Sequence, residues 1–201
     1  MKSSLIFLCL FSCNVCGIKA FHNLAFGRNV TGYYSGTDIS TNLNTGNLTD
    51  GDGINTCESL SGTYFRFQIG LQKTYTIESS RLVFKGPSTT NGTSMYFFDS
   101  THDWPFDEDI NYRTEIPHTV VFEAQRTGRD FFFNLWQTPS IAIEIELCEI
   151  ELNGCEVDHY GEDCLPCNKS ENCEVCDVNN GACYVCREGY MGPNCSMSIY
   201  F

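Results

Sequence analysis

Basic side chains are scarce in this chain: 12 lysines and arginines stand against 25 aspartates and glutamates, a formal net charge of −13. A surface of that sign repels phosphate, so nucleic acid and anionic lipid are not expected as partners held by general electrostatics. Beyond residue 20 no apolar run approaches the ~20 residues of a membrane helix, and no span is expected there. Helical periodicity with capping residues is missing as well. So is a nucleophile motif with a matching base. The histidines His22, His102, His118 and His159 are scattered, and Asp107 and Glu108 are adjacent in sequence, which suits solvation better than catalysis. An enzyme is therefore not expected. Cysteine is almost absent from the middle of the chain, where Cys57 stands alone between residues 21 and 147.

What is present begins with Met1 to Ala20: Lys2, the apolar run Leu5 to Phe11, then small residues near Gly17 and Ala20. That is the layout of a secretory signal peptide, residues 1–20. Its removal takes away Cys9, Cys13 and Cys16 and leaves ten of the 13 cysteines, an even number suited to disulfides in an oxidising compartment. Five Asn-X-Ser/Thr acceptors, Asn29, Asn47, Asn91, Asn168 and Asn194, agree with export. A secreted or extracellular location is expected, at the cell surface if the chain is part of a longer receptor.

Residues 21–153 read as short alternating strands between clusters of Gly, Asn, Ser, Thr and Pro. Thr63 to Ile69, Leu82 to Phe84, Met95 to Phe98, Thr119 to Ala124 and Arg129 to Leu135 are the clearest. About 130 residues of this kind make an all-β domain, a β-sandwich or jelly roll. Phe131, Phe132 and Phe133 are expected as core plus one partly exposed ring. The stretch Ser140 to Cys155 closes the domain. Ile141, Ile143, Ile145 and Leu147 alternate with polar or small residues, and Ile150 and Leu152 then continue the apolar face one register out of phase. The slip falls at Cys148-Glu149, which predicts a one-residue bulge.

A polar loop from Asn42 to Cys57 concentrates oxygen-bearing side chains and glycines. Asp50 and Asp52 alternate with Gly51 and Gly53, so carboxylates and carbonyls can converge on a hard cation; a flexible surface loop is the alternative reading. An EF-hand is excluded, because the twelfth-position glutamate and the flanking helices are missing.

Asn23-Leu-Ala, the Asp50-Gly turn, Cys57, Tyr64 to Leu71 followed by Tyr75-Thr-Ile77, and Leu147 to Cys155 together resemble the galactose-binding-like sandwiches of the F-type lectin and discoidin (coagulation-factor type C) group. In that group the middle strand usually ends in Val-Asp-Leu-Gly; here Gln68-Ile69-Gly70-Leu71 stands instead. The resemblance implies a structural calcium held by Asn47, Asp50, Asp52, Thr56 and the Cys148-Glu149 pair, with Cys57 bonded to Cys148. It also implies basic side chains donating to sugar hydroxyls. His102 and Arg129 have the first spacing of the fucose pattern, but Asp130 and Phe131 follow. Lys85 is the basic residue nearest the expected ligand position.

In residues 154–201 cysteine recurs every few residues. Cys155 to Cys164 and Cys186 to Cys195 share one spacing and a Gly-X-X-Cys ending at Gly161 and Gly192, a small internal repeat. Asp177 to Cys183 and Tyr190 to Cys195 resemble an EGF-like repeat of the laminin and multiple-EGF type. That resemblance implies the pairs Cys155-Cys164, Cys167-Cys176, Cys173-Cys183 and Cys186-Cys195. Cys183-Tyr-Val-Cys186 replaces the usual Cys-X-Cys. Zinc is disfavoured, since ribbons need roughly 15–20 residues between their Cys-X-X-Cys knuckles. The expectation is a calcium-stabilised, lectin-like binding module for an extracellular glycan or protein ligand, carried on a disulfide-built tail. The alternative is the N-terminal ectodomain of a scavenger- or engulfment-type receptor with multiple EGF-like repeats, acting in protein adhesion.

Overall fold

The computed structural model describes residues 21–35, 43–44, 46–51, 55–89, 92–100, 110–123, 125–137, 141–167, 171–192 and 194–199. The expected signal peptide, Asp52, Asn91, His102 and Asn168 lie outside the described residues, as does the side chain of Asn47.

The architecture is all-β, a jelly-roll sandwich followed by a disulfide-rich tail. Eight strands matter for the argument: β1 (Val30–Ser35), β2 (Glu58–Gly62), β3 (Tyr64–Phe84), β4 (Thr93–Asp99), β5 (Ile110–Tyr112), β6 (Thr119–Phe122), β7 (Arg126–Gln137) and β8 (Ile143–Glu156). The only helix among the described residues is one 3-10 turn, Gly46–Thr49. With shorter segments these strands form one ten-stranded sheet, curled so that β3 serves both layers.

Its first half, Tyr64 to Gly70, lies between β1 and β7, and β7 in turn pairs with β4. Its second half pairs with β6 and β8, and β2 adds to the outer edge of β8. The two strands expected at Thr63–Ile69 and Leu82–Phe84 are thus one element. Apolar residues recur at every second position over its first part, so one face stays in the core: Phe65, Phe67 and Ile69 are at most 1 % exposed. Phe131 and Phe133 of β7 and Phe97 of β4 lie beside them on the same face of the layer. Phe122 of β6 closes the gap between layers, 5.9 Å from Phe97 and 5.8 Å from Phe133 by ring centroids. Full burial of each ring contributes roughly 1.5–3 kcal/mol. Phe132, pointing the other way, is itself buried, because the guanidinium of Arg66 lies 4.5 Å above its ring.

The bulge in β8 falls where the periodicity slips: Leu147 pairs with Phe84 and Glu149 with Val83, leaving Cys148 as the extra residue. The strand also outruns the expected domain limit at residue 153. Asn153, Gly154, Cys155 and Glu156 still pair with β3, and His22–Asn23 pairs with Gly154 and Asn153. A second register shift falls at Asn153/Gly154, where a Cβ on Gly154 would meet the Thr76 carbonyl oxygen at 2.1 Å. Only glycine lets the two backbones approach that closely.

Beyond it, three two-stranded ribbons, His159–Tyr160 with Leu165–Pro166, Cys173–Cys176 with Cys183–Cys186, and Tyr190–Met191 with Met197–Ser198, are held by bridges. The disulfides are Cys155–Cys164, Cys167–Cys176, Cys173–Cys183 and Cys186–Cys195. The sequence repeat is also a geometric one. Cys164 (φ 45°) and Cys195 (φ 51°) have positive φ, and each donates its amide three residues back, to Gly161 at 2.9 Å and Gly192 at 3.0 Å.

Candidate functional site

The site forms where the acidic loop meets the β8 bulge. Cys57 precedes β2, Cys148 is the bulged residue of β8, and the two are bonded across 91 positions of sequence. A loop of that length implies ~4–5 kcal/mol of stabilisation on the chain-entropy account. The bulge takes Glu149 off the core face of β8 and sets it beside the Asp50–Gly51 turn, where it is 1 % exposed. Its carboxylate accepts from the amide of Gly51, 3.2 Å to one oxygen and 3.4 Å to the other. Asp50, next along that turn, is half-buried and accepts from the Thr56 hydroxyl at 2.8 Å. Behind them Leu48 and Thr49 are fully buried. Thr49 is tied down twice: its hydroxyl donates to the Arg28 carbonyl and its own carbonyl accepts from the Gly27 amide, both at 2.7 Å.

Of the six residues the resemblance implies as calcium ligands, Asp50, Thr56, Cys148 and Glu149 come together around one disulfide. Asn47 belongs to the 3-10 turn leading into them, and Asp52 lies outside the described residues.

Further along the β2–β8 pair from the disulfide, a groove of about 570 Å³ opens between these strands and the Gly86-Pro87-Ser88 segment. Antiparallel register places Ser61 opposite Glu144 and Ser59 opposite Glu146, while Leu60 and Ile145 between them point into the core. Two hydroxyls and two carboxylates therefore share one wall. Lys85 lies at the rim, its ammonium 2.9 Å from Glu146 and both groups largely exposed. Lys85 is thus engaged by Glu146 rather than held out alone. Pairs this exposed contribute at most about 1 kcal/mol, and a ligand acceptor displaces such a contact easily. Alternation in sequence marked Glu144 and Glu146 as outward-facing. Ser59 and Ser61 carried no signal, since their partnership with β8 depends on pairing across more than 80 residues of chain.

The remaining candidates disperse. Asn29 and Asn194 are exposed. Arg129 is exposed beside the Gly128/Asp130 register shift of β7. His118 bonds Thr119 at 3.1 Å, and His159 bonds Asp158 at 2.7 Å. Glu156 joins that last pair in a cluster whose potential ligand atoms lie within 4.8 Å of one another, with Lys73 held by Glu156 at 2.8 Å.

No protein-family model and no curated protein matches the chain. Among solved structures, it is similar to chitosan-binding module 1 of a chitosanase/glucanase from Paenibacillus sp. IK-5, at 13 % identity over 66 % of this chain and 99 % of that one, with a TM-score of 0.43. A CBM32 module produced by Clostridium perfringens shows 20 % identity over 66 % and 99 %, TM-score 0.46. A Streptococcus pneumoniae fucose-binding module shows 11 % identity over 67 % and 96 %, TM-score 0.47.

Proposed function

We propose that this chain is an extracellular, non-enzymatic binding module of lectin-like type. A calcium ion braces the Asp50 turn against the β8 bulge, and the adjoining groove takes a glycan. The observation that carries the reading is the Glu149 carboxylate, sealed from solvent yet aimed at the Asp50–Gly51 turn. A hard divalent ion suits the donors at hand: the carboxylates of Asp50 and Glu149, the Thr56 hydroxyl and loop carbonyls are all oxygens. Such an ion neutralises a charge whose burial is otherwise costly, so its role is to hold the loop in place. The groove's Ser59, Ser61, Glu144 and Glu146 accept hydrogen bonds from sugar hydroxyls, with Lys85 donating at the rim.

The tail supports an EGF-like reading. Cys167–Cys176 and Cys173–Cys183 interleave, and Cys186–Cys195 closes the last loop, the order that the resemblance implies. In this reading the chain is exported after loss of residues 1–20 and glycosylated at its Asn-X-Ser/Thr sites. The tail spaces the sandwich from whatever follows, as in a multiple-EGF receptor of the scavenger or engulfment type.

The test is a melting curve with calcium and with chelator, alongside a glycan array. At calcium about 100-fold above Kd the ion adds about 2.7 kcal/mol, a rise of roughly 5–10 °C in Tm. Glu149→Gln removes that rise, and Ser61→Ala with Glu144→Gln weakens array binding without touching it. Identical curves with and without chelator would remove the ion, and a blank array would remove the glycan.

A further inference from the structure

We propose that the outer face of the β1–β3–β7–β4 layer is a second, separate binding surface, for a sugar carrying an acidic group. Successive outward positions of β3 and β7 are paired: Tyr64 with Trp136, Arg66 with Asn134, and Gln68 with Phe132. Trp136 is 47 % exposed although it lies mid-sheet, flanked by β3 on one side and β4 on the other. Tyr64 packs edge-on against it at 6.1 Å, fixing the plane of the indole, and is fixed in turn by Asn134, which accepts from its hydroxyl at 3.2 Å. A flat ring held in that manner is a platform for the C–H face of a pyranose, and the carboxamides and hydroxyl beside it match the sugar's own hydroxyls.

Arg66 decides the charge of the ligand. Its guanidinium rests on Phe132 at 4.5 Å and Phe98 at 5.7 Å, so its flat face is satisfied by the rings. Burial dominates and raises the pKa of the Tyr64 hydroxyl, although its ionised form is favoured by the nearby guanidinium. No carboxylate is ion-paired with it among the described residues, in a chain that carries 25 of them. A planar fork left open beside a stacking ring suits a carboxylate or sulfate ester held through two hydrogen bonds.

A protein partner fits less well. Interfaces need about 800 Å² from each side, whereas Phe132 and Phe98 are sealed under Arg66, and among the described residues of this face Trp136 is the one large apolar side chain that is well exposed.

The experiment is calorimetric titration of the intact chain with tetragalacturonate, with a carrageenan tetrasaccharide as the sulfated counterpart and with neutral galactotetraose. Trp136→Ala and Arg66→Gln should each weaken binding of the acidic tetramers about tenfold or more, the loss of one charge-assisted or stacking contact. Arg66→Lys should recover part of the loss, and neutral galactotetraose should bind about tenfold less than the acidic forms. Which acidic tetramer binds more tightly tells carboxylate from sulfate. Val121→Ala, at an exposed position of β6 outside both surfaces, should leave all three titrations unchanged, and the groove is read separately by the glycan array, so failure here and failure of the groove are separate results. Because Trp136 is exposed, its alanine variant should unfold at the wild-type denaturant midpoint, which separates lost contact from lost fold. Equal binding of neutral and acidic tetramers would overturn the acidic assignment. Absence of binding, or binding indifferent to Trp136→Ala, would overturn the surface itself, and the second result would hold even if Arg66→Gln proved unstable.

Discussion

Glu149 owes its position to one extra residue. Without the bulge at Cys148 the alternation of β8 would carry the Glu144 and Glu146 series onward to position 148, and Glu149 would fall among the core isoleucines. With it, the carboxylate arrives buried but beside a turn amide, and the apolar series resumes at Ile150. Gly154 shows the same economy of space. Gly154→Ala puts a methyl group against the Thr76 carbonyl at a distance real Cβ atoms do not reach, and should destabilise by about 2–4 kcal/mol in urea unfolding. Gly86→Ala meets nothing within 4 Å and should change stability by less than about 0.5 kcal/mol. Equal effects at the two positions would contradict the packing described. The slip at Cys148 was readable as a break in periodicity, whereas the need for glycine at 154 arises only from the approach of β3.

Among the elements, β8 and the tail ribbons differ in what holds them. β8 is zipped to β2 and β3, and two of the guanidinium nitrogens of Arg81, Nε and Nη2, donate to the two oxygens of Glu151 across the β3–β8 seam. The tail turn at Asp177 relies on a single carboxylate, which accepts from the amides of Asn179 and Asn180 and from the Tyr184 hydroxyl at 2.5 Å. Burial, the largest single influence, raises its pKa, but these hydrogen bonds to the ionised form outweigh it and the net shift is downward. A carboxylate with a depressed folded pKa stabilises above its unfolded pKa, and the benefit fades as pH falls through the folded value. Hydrogen exchange at the Asn179 and Asn180 amides should therefore quicken as pH drops below the ordinary carboxylate range, after correction for intrinsic rates. Tyr184→Phe should move that midpoint up toward the ordinary value. A midpoint unmoved by Tyr184→Phe would show that the hydroxyl does not hold the turn.

For the chain as a body, core and crosslinks are segregated. Every member of the main hydrophobic cluster, from Ala25 to Leu152, comes from the sandwich, while four of the five disulfides among the described residues lie beyond Gly154. A sandwich of that size buries enough apolar surface to fold alone, whereas about 45 residues with few apolar side chains do not. Residues 21–156 with Cys155→Ala should unfold cooperatively within about 1 kcal/mol of the parent sandwich transition. Residues 157–201 should lose their ribbons on reduction. A sandwich fragment that fails to fold would mean the tail contributes to the core after all.

All-β character, the two-part layout and the bulge position were settled by the chain's own chemistry, because period-two alternation, turn residues and cysteine spacing are local properties that no distant contact is needed to reveal. The gathering of Glu149 with Asp50, the Ser59–Glu146 wall and the placement of Arg66 over Phe132 were decided by folding alone. Each joins residues some 60 to 100 positions apart, and register between distant strands follows from how the whole core packs, which no single segment encodes.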